Sequence, residues 1–304
     1  MHSYHVVSRT CNSDTYPRAG RAAPDTILSM HTFAIALAAA AALTAAPIPD
    51  SLRPNLVFHA SFDQALQADT GRGDRQIYNA PSYKEQKQAK PGLGEVDAAI
   101  ENGAGIGGSG ALRFRAKNTR ALFFRGDQHV SPKAGTVSFW LRLDPDKDLS
   151  PGFSDPIQIT DKAYNDSAIW VDFTKDDVPR KFRLGVFGSL KGWNPQNTPA
   201  DKNPDFNRRL VAVDRPPFTR EQWTHIAITW TGLEGAGPGT ASLYLNGKLA
   251  GTARNIKERF EWDASQLAIR LGVGYTGLMD EVAAFNRALS ANEVSALHRA
   301  GTGK

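Results

Sequence analysis

The feature of this chain that most restricts its fold is a series of short segments in which apolar residues occupy every second position. In residues 111–115, Leu112 and Phe114 alternate with alanine and arginine, and residues 136–143 carry apolar side chains at four alternate positions. Because successive side chains of a β-strand point to opposite faces, this spacing predicts strands with one buried face. The segments are therefore expected to build antiparallel sheets.

Turn signals separate these segments, since the chain contains 27 glycines and 18 prolines. Asn246-Gly247 between two apolar segments is typical of a two-residue hairpin turn, in which both positions require positive φ. Many short strands with almost no helix favour a two-sheet sandwich. Strands are predicted at 56–62, 111–115, 136–143, 157–160, 168–173, 182–187, 223–230, 241–245, 267–271 and 278–285, with short strands near Ile77 and Val96.

One short helix is predicted near the C-terminus. Ser290 and Glu293 have the spacing of a capping box, in which each side chain satisfies a free backbone N–H group at the start of a helix. Val294 and Leu297 then fall on one face, and Gly301 is expected to end the helix. The predicted fold class is therefore all-β, a two-sheet antiparallel sandwich with one short C-terminal helix.

The N-terminal region contains an apolar run of 11 residues at 33–43, followed by small residues. Such a run is too short to span a bilayer, which takes about 20 apolar residues, and it is typical of a secretory signal peptide. Cleavage is expected near Ala45 or Ala46, so that residues 1–46 form an extension and signal peptide. Two alternatives stay open, namely a start at Met30 instead of Met1 and a retained N-terminal membrane anchor.

Charge and cysteine content exclude several kinds of protein. Without residues 1–46 the chain keeps 33 basic and 29 acidic residues and has no run of five like charges, so no nucleic-acid partner is expected. Cys11, the single cysteine, would leave with the signal peptide, which excludes an intrachain disulfide framework. The mature chain is expected to be secreted, periplasmic or on the cell surface, with no integral membrane span.

Three segments in the C-terminal half carry a family resemblance. These segments are 222–230 (QWTHIAITW), 243–248 (LYLNGK) and 277–290 (GLMDEVAAFNRALS). In this order they resemble the laminin-G-like, concanavalin A-like lectin/glucanase jelly-roll family. The resemblance covers residues 54–301. It implies a jelly-roll domain of two curved sheets, export, and binding of carbohydrate or another extracellular or cell-surface ligand such as a protein.

The resemblance also implies a structural Ca²⁺ ion. Asp280 shares one strand face with apolar neighbours, where a carboxylate must be paired, hydrogen-bonded or metal-bound, because an unpaired buried charge costs several kcal/mol. By resemblance, Asp63, directly after the first strand, would join Asp280 as a ligand, and oxygen ligands suit calcium. The alternative is a carboxylate bonded to backbone amides or an arginine without metal. Glu281, on the opposite face, is expected to be solvated.

A polar loop supplies the candidate ligand-binding residues. Trp193 lies in a Pro- and Asn-rich stretch, where a large aromatic ring can stack on the apolar face of a sugar. Asn194 and Gln196 would then bind hydroxyl groups. In this interpretation, Trp193→Ala weakens binding without lowering the melting temperature. The alternative is that Trp193 packs its own loop onto the sheet.

No catalytic motif is evident in the sequence. Retaining glycoside hydrolases of this fold need two carboxylates about 5 Å apart, which on one strand requires even spacing. The nearest match, Glu95 to Glu101 around Asp97, is one residue too long, and His225 is expected to be a hydrogen-bonded core histidine. The sequence therefore predicts a non-catalytic, secreted binding module. A glycan-active enzyme (glycoside hydrolase or lyase) on the same fold and a structural adhesion protein are the alternatives.

Overall fold

The alternating segments form 17 strands within residues 48–303, the part of the chain that the computed structural model describes. The predicted signal peptide and its cleavage site lie outside these residues. The strands are β1 (Leu56–Ala60), β2 (Thr70–Gly71), β3 (Ile77–Ala80), β4 (Lys90–Pro91), β5 (Ala98–Glu101), β6 (Ala111–Phe114), β7 (Ala121–Arg125), β8 (Ala134–Arg142), β9 (Ser154–Thr160), β10 (Ala168–Phe173), β11 (Phe182–Phe187), β12 (Leu210–Val213), β13 (Thr224–Thr231), β14 (Gly239–Leu245), β15 (Lys248–Ile256), β16 (Ala268–Val273) and β17 (Gly277–Phe285).

Helical segments are short except for the last one. The α-helices are α1 (Pro145–Asp148), α2 (Leu190–Trp193), α3 (Pro204–Arg208) and α4 (Ala291–Thr302), and 3-10 turns occur at Asp50–Asn55, Tyr83–Gln88, Ile106–Gly108 and Ala200–Lys202. None of the helices in residues 48–303 is long and apolar enough to cross a membrane.

The strands pair in two antiparallel sheets. The first sheet has nine strands in the order β15-β14-β13-β8-β17-β1-β2, and β6, paired with β5, joins β17 beside β1. The second has eight strands in the order β12-β11-β10-β9-β16-β7-β3-β4. The predicted fold class, an all-β two-sheet jelly-roll sandwich with a C-terminal helix, is confirmed.

The main core lies between the two sheets. Alternate residues of β8, including Val137 and Phe139, face Ile157 and Ile159 of β9 in one continuous apolar cluster. These side chains are fully buried, and burying each of them stabilises the fold by about 1.5–3 kcal/mol. The alternation read from the sequence therefore identifies the inner face of both sheets in these strands.

The outer face of the first sheet is covered by α4. The predicted capping box of Ser290 and Glu293 is present, and Val294 and Leu297, on one face of the helix, pack against this sheet. The helix extends past Gly301 and ends at Gly303, which has a φ of 67°. The prediction that Gly301 ends the helix is therefore wrong. A Cβ atom at Gly301 would lie 2.3 Å from the Trp140 ring, so close packing against this ring requires a glycine there.

His225 is buried, but it faces α4 and not the space between the sheets. Its neighbours Ile226 and Ile228 point into the main core, while Ala227, on the same face as His225, packs in the cluster under α4. The His225 Nε2 atom lies 2.8 Å from the Ser138 hydroxyl oxygen. Burial and the neighbouring His298 lower the pKa of His225 to about 3, so the ring is neutral at physiological pH.

Candidate functional site

A groove of about 930 Å³ lies on the outer face of the second sheet. Its floor is formed by β9, β10 and β11, and the loop that contains the 3-10 turn Ala200–Lys202 and helix α3 forms one wall. The groove has both charged and aromatic walls. Its lining residues are Phe153, Asp155, Gln158, Tyr164, Trp170, Asp172, Lys175, Arg183, Ala200, Asp201, Lys202, Asn203, Pro204, Phe206, Asn207 and Val273.

An ion pair between Asp172 and Arg183 forms the centre of the floor. The two residues are direct cross-strand neighbours on β10 and β11. Arg183 donates from Nε to Asp172 Oδ1 at 2.8 Å and from Nη2 to Oδ2 at 2.5 Å, so the pair is bidentate. Both side chains are largely buried, a setting in which removing one partner leaves a costly unpaired charge.

A second carboxylate, that of Asp155, lies beside this pair. Its Oδ2 atom accepts a hydrogen bond from Gln158 Nε2. Gln158 in turn accepts a hydrogen bond from the buried Arg270 through Oε1, at 3.3 Å. Arg183 directs two of its N–H groups to Asp172. The side-chain hydrogen bond that Asp155 accepts therefore comes from the neutral amide of Gln158 and not from a cation.

A β-bulge places Asp155 in the groove. Between the pairs Val171–Ile157 and Phe173–Ser154, two residues of β9, Asp155 and Pro156, stand opposite the single residue Asp172. Regular alternation would put Asp155 on the same face as Ile157, in the core, but the extra residue re-aims its side chain. A proline within a strand is a signal of such a bulge, and Pro156 is the sequence feature from which this site residue was predictable.

The surroundings perturb the pKa of both carboxyl groups. Burial, reinforced by the negative charge of Asp172, raises the pKa of Asp155 from 3.8 to about 7, while Gln158 and Arg183 act in the opposite direction. Burial also raises the pKa of Asp172, and the hydrogen bonds and charge of Arg183 oppose this shift. The groove thus combines one carboxyl group that titrates near neutrality with another that is held in an ion pair.

Exposed aromatic rings flank the polar floor. Within residues 48–303 four large apolar side chains are exposed, and two of them, Phe153 (48%) and Tyr164 (46%), line the groove. The Arg183 guanidinium lies 5.1 Å from the centre of the Phe153 ring, and Tyr164 makes an edge contact with Phe206 at 6.5 Å. Both rings lie in polar loops beside β9, the pattern that predicted a site at Trp193, but neither residue was predicted from the sequence.

The structure places Trp193 in a packing role. Its ring is 7% exposed, lies 5.2 Å from the Phe187 ring, and donates from Nε1 to the Asn165 carbonyl oxygen at 2.9 Å. Asn194 is buried too, and its amide closes a turn with the backbone of Thr198. The alternative in which Trp193 packs its own loop onto the sheet describes this arrangement.

Gln196 is exposed, and it does not line the groove, nor do Trp193 and Asn194. The same loop does contribute to the groove further along, through Ala200–Lys202 and α3. A role in ligand binding for Trp193, Asn194 and Gln196 stays a prediction.

The Asp63 and Asp280 carboxyl groups interact electrostatically near the end of β1, and their role as metal ligands stays a prediction. Asp280 is fully buried and accepts hydrogen bonds from the backbone N–H groups of Ile106 and Glu281, at 2.8 and 2.9 Å. Burial, with the nearby charges of Glu281 and Asp63, raises the pKa of Asp280 to about 9. Asp63 Oδ1 is buried without a hydrogen-bond partner.

Asp280 by itself matches the metal-free alternative, a carboxyl group bonded to backbone amides, whereas the unpartnered Oδ1 atom of Asp63 is the atom that would suit an oxygen-ligated cation. A Cβ atom at Gly110 would lie 2.3 Å from the Asp63 carbonyl oxygen and 2.5 Å from that of Phe62, so a glycine is needed for the backbone to approach both carbonyl groups. Within residues 48–303, no three His, Cys, Asp or Glu side chains are arranged to hold a metal ion. The site would therefore consist of the two carboxylates of Asp63 and Asp280 completed by backbone carbonyl oxygens, a donor set that suits calcium.

The prediction that Glu281 is solvated is wrong. Glu281 is 3% exposed and its Oε2 atom lies 2.6 Å from His59 Nε2. A bulge in β17, where the pairing with β8 shifts between Asp280 and Ala283, disturbs the alternation, and Glu281 adopts a positive φ of 52°. Both acidic side chains are therefore buried, and each has hydrogen-bond partners.

Comparisons with known proteins address the fold of this chain. A family model described as the concanavalin A-like lectin/glucanases superfamily matches residues 115–295. No curated protein sequence matches. Domain 4 of AbnA, an extracellular GH43 arabinanase from Geobacillus stearothermophilus solved in complex with arabinotriose, is similar with a TM-score of 0.50 and 18% identity, over 80% of this chain and 98% of that one.

The ligand-binding domain of botulinum neurotoxin serotype D, solved in complex with N-acetylneuraminic acid, is similar with a TM-score of 0.53 and 10% identity. The match covers 82% of this chain and 52% of that one, so this chain spans about half the length of the toxin domain. At these identities the likeness shows a shared fold.

Proposed function

The chain belongs to the concanavalin A-like lectin/glucanases superfamily, and from this premise we propose that it binds carbohydrate in the groove on the outer face of its second sheet. The observation that carries the proposal is the pair of exposed aromatic rings, Phe153 and Tyr164, on either side of a buried polar floor.

The chemistry of a sugar matches both parts of this groove. A pyranose or furanose ring has an apolar C–H face, which packs on an aromatic ring, and hydroxyl groups, which need hydrogen-bond partners when they leave water. Phe153 and Tyr164 would supply the stacking surfaces. Asp155, Gln158 and Arg183 would supply donors and acceptors for hydroxyl groups.

The volume of the groove supports a ligand of this size. About 930 Å³ falls within the range of roughly 300–1,000 Å³ that is common for small-molecule sites. Two of the similar solved structures contain a bound sugar, arabinotriose in one and N-acetylneuraminic acid in the other, which makes carbohydrate a reasonable class to test first.

The experiment is a glycan array followed by calorimetric titration of the best neutral oligosaccharide. Phe153→Ala and Tyr164→Ala are each expected to weaken binding about tenfold, since an aromatic contact contributes roughly 0.5–1.5 kcal/mol beyond its buried area. Leu249→Ala is the matched control, because Leu249 is exposed but lies on β15 of the other sheet. An array without hits, or equal affinity in all three variants, would contradict the proposal.

We further propose that the protein acts outside the cytoplasm, after removal of residues 1–46. The support is the apolar run at 33–43 and the small residues that follow it. N-terminal sequencing of the exported protein should find a new terminus near Ala45 or Ala46. The full-length chain in the cytoplasmic fraction would contradict export.

Hydrolysis of a glycan is a second candidate function, favoured by the placement of Asp155 and Asp172 in one groove. Pairs of carboxyl groups whose environments differ are typical of acid/base sites, and here Asp155 titrates near neutrality while Asp172 is paired with Arg183. Release of reducing ends from arabinotriose or a longer glycan, abolished in Asp155→Asn, would establish catalysis. Binding without release would leave the protein a binding module.

A structural Ca²⁺ ion at Asp63 and Asp280 is a separate proposal. The support is the buried, unpartnered Oδ1 atom of Asp63 and the two backbone carbonyl groups, those of Phe62 and Asp63, that lie against Gly110. When bound, the ion would neutralise the two carboxylates and so stabilise the end of β1 against β17. Calorimetric titration of chelator-treated protein with CaCl₂ tests this directly, with Asp63→Asn as the variant that should lose binding.

A further inference from the structure

The floor of the groove contains two carboxyl groups, those of Asp155 and Asp172, and a single guanidinium group, that of Arg183, which is paired with Asp172. Arg183 binds Asp172 through both Nε and Nη2, which uses the side of its planar fork that matches a carboxylate. Asp155 is left with a hydrogen bond from the neutral amide of Gln158. If both carboxyl groups were ionised, Asp155 would be a negative charge beside a second negative charge in a partly dehydrated groove.

The remaining groups around the groove do not remove this imbalance. On β16, the residue paired with Asp155 is the apolar Val273. Lys175 forms an ion pair with Asp176, and Arg270 reaches Gln158 and lies 4.3 Å from the centre of the Tyr83 ring. The charged and titratable groups that line the groove or lie beside it are Tyr83, Asp172, Lys175, Arg183, Asp201, Lys202 and Arg270, and of these Asp172 and Arg183 act most strongly on Asp155.

We propose that glycan binding in the groove is coupled to the uptake of one proton by Asp155, so that affinity falls as the pH rises through neutrality. A bound sugar displaces water from the floor, and losing water disfavours the charged form of a carboxyl group. The protonated group can also donate its O–H to a ring or hydroxyl oxygen of the ligand, while Gln158 continues to donate to its other oxygen.

The raised pKa of Asp155, about 7 in the free protein, sets the range in which the effect operates. Below this pH the carboxyl group is already protonated and binding takes up no proton. Above it, each bound ligand must bring a proton to Asp155, and the affinity falls by up to tenfold per pH unit. This inference rests on the proposed carbohydrate-binding function of the same groove.

The test is calorimetric titration from pH 5 to 9 with arabinotriose, cellotriose and maltotriose, three neutral sugars that do not titrate in this range. We expect the affinity of the wild-type protein to be constant up to about pH 7 and then to fall by up to tenfold per unit. Asp155→Asn should keep the low-pH affinity at every pH, since an amide cannot ionise. Asp201→Asn, which removes an exposed acid from the same groove, should retain the wild-type pH profile.

The outcomes separate the two proposals. If a sugar binds but its affinity is flat or rises with pH, or if Asp155→Asn has the wild-type slope, proton coupling at Asp155 is refuted while carbohydrate binding stands. If none of the three sugars binds at any pH and the glycan array has no hits, the binding function fails, and the coupling fails with it. Calorimetric titration in buffers of different ionisation enthalpy measures the number of protons taken up on binding. We expect one proton per bound sugar above neutral pH.

Discussion

The Asp155→Asn substitution is expected to stabilise the protein in alkaline solution and to leave it nearly unchanged in acid. In the folded protein, burial and the charge of Asp172 raise the pKa of Asp155 from 3.8 to about 7. A carboxyl group with a raised pKa binds its proton more tightly in the folded chain than in the unfolded chain. Stability is therefore lost as the pH rises from about 4 to about 7, and the loss is complete above that range.

The size of the effect follows from the shift. A change of about three pKa units, at ~1.4 kcal/mol per unit, corresponds to about 4 kcal/mol of destabilisation by the ionised group. Water in the open groove screens part of this energy, so a gain of about 2 kcal/mol at pH 8.5 is the expected value. An asparagine at this position keeps an oxygen that accepts the Gln158 hydrogen bond, which limits new costs.

Urea-induced unfolding, followed by tryptophan fluorescence at several pH values between 4.5 and 8.5, measures this effect. The difference in unfolding free energy between variant and wild type should grow with pH, because other titrating groups cancel in the subtraction. Asp201→Asn, at an exposed site in the same groove, is the control and should show no such growth. A constant difference across the pH range would refute the assignment of Asp155 as a group that is costly to ionise.

Three further outcomes follow from the contacts described above. Trp193→Ala should lower the free energy of unfolding by about 3 kcal/mol, because it removes a buried aromatic side chain; an unchanged melting temperature would contradict the packing role. Gly185→Ala should cost about 1–3 kcal/mol and weaken glycan binding, since the new Cβ atom would lie 2.2 Å from the Trp170 ring in the groove; thermal melts and calorimetry check both effects. Addition of EGTA should lower the melting temperature of the wild-type protein but not of Asp280→Asn, and an equal response of both proteins would argue against calcium at this site.

Much of the fold was predictable because it depends on local patterns. The strands at 168–173 and 182–187 match β10 and β11, since both segments are rich in the β-branched and aromatic residues that favour strands. The hairpin turn was predictable because asparagine and glycine readily adopt the positive φ that such a turn requires. Asn246 and Gly247 have φ values of 48° and 75°. Missed strands such as β7 are apolar on both faces, and continuous apolar segments give no alternation to detect.

The candidate site was less predictable, because it depends on interruptions of the alternation. The bulge at Asp155 and Pro156 re-aims a carboxyl group from the core to the groove, and the bulge in β17 places Glu281 beside His59. A one-residue insertion shifts every side-chain direction around it, and the pairing partner on the neighbouring strand decides where the insertion falls. That partner is distant in sequence.

The sequence by itself determined the class of this protein: alternating apolar residues specify strands that bury one face, and their joint order with the C-terminal motifs specifies the superfamily. The tertiary structure decided which polar and aromatic side chains meet. Asp172 and Arg183 pair across two strands, Asp155 joins them through a bulge, and the ring of Trp193 turns inward while Phe153 and Tyr164 remain exposed. Strand formation depends on neighbours along the chain, whereas a binding site depends on neighbours across the sheet, whose register is set when the two sheets pack together.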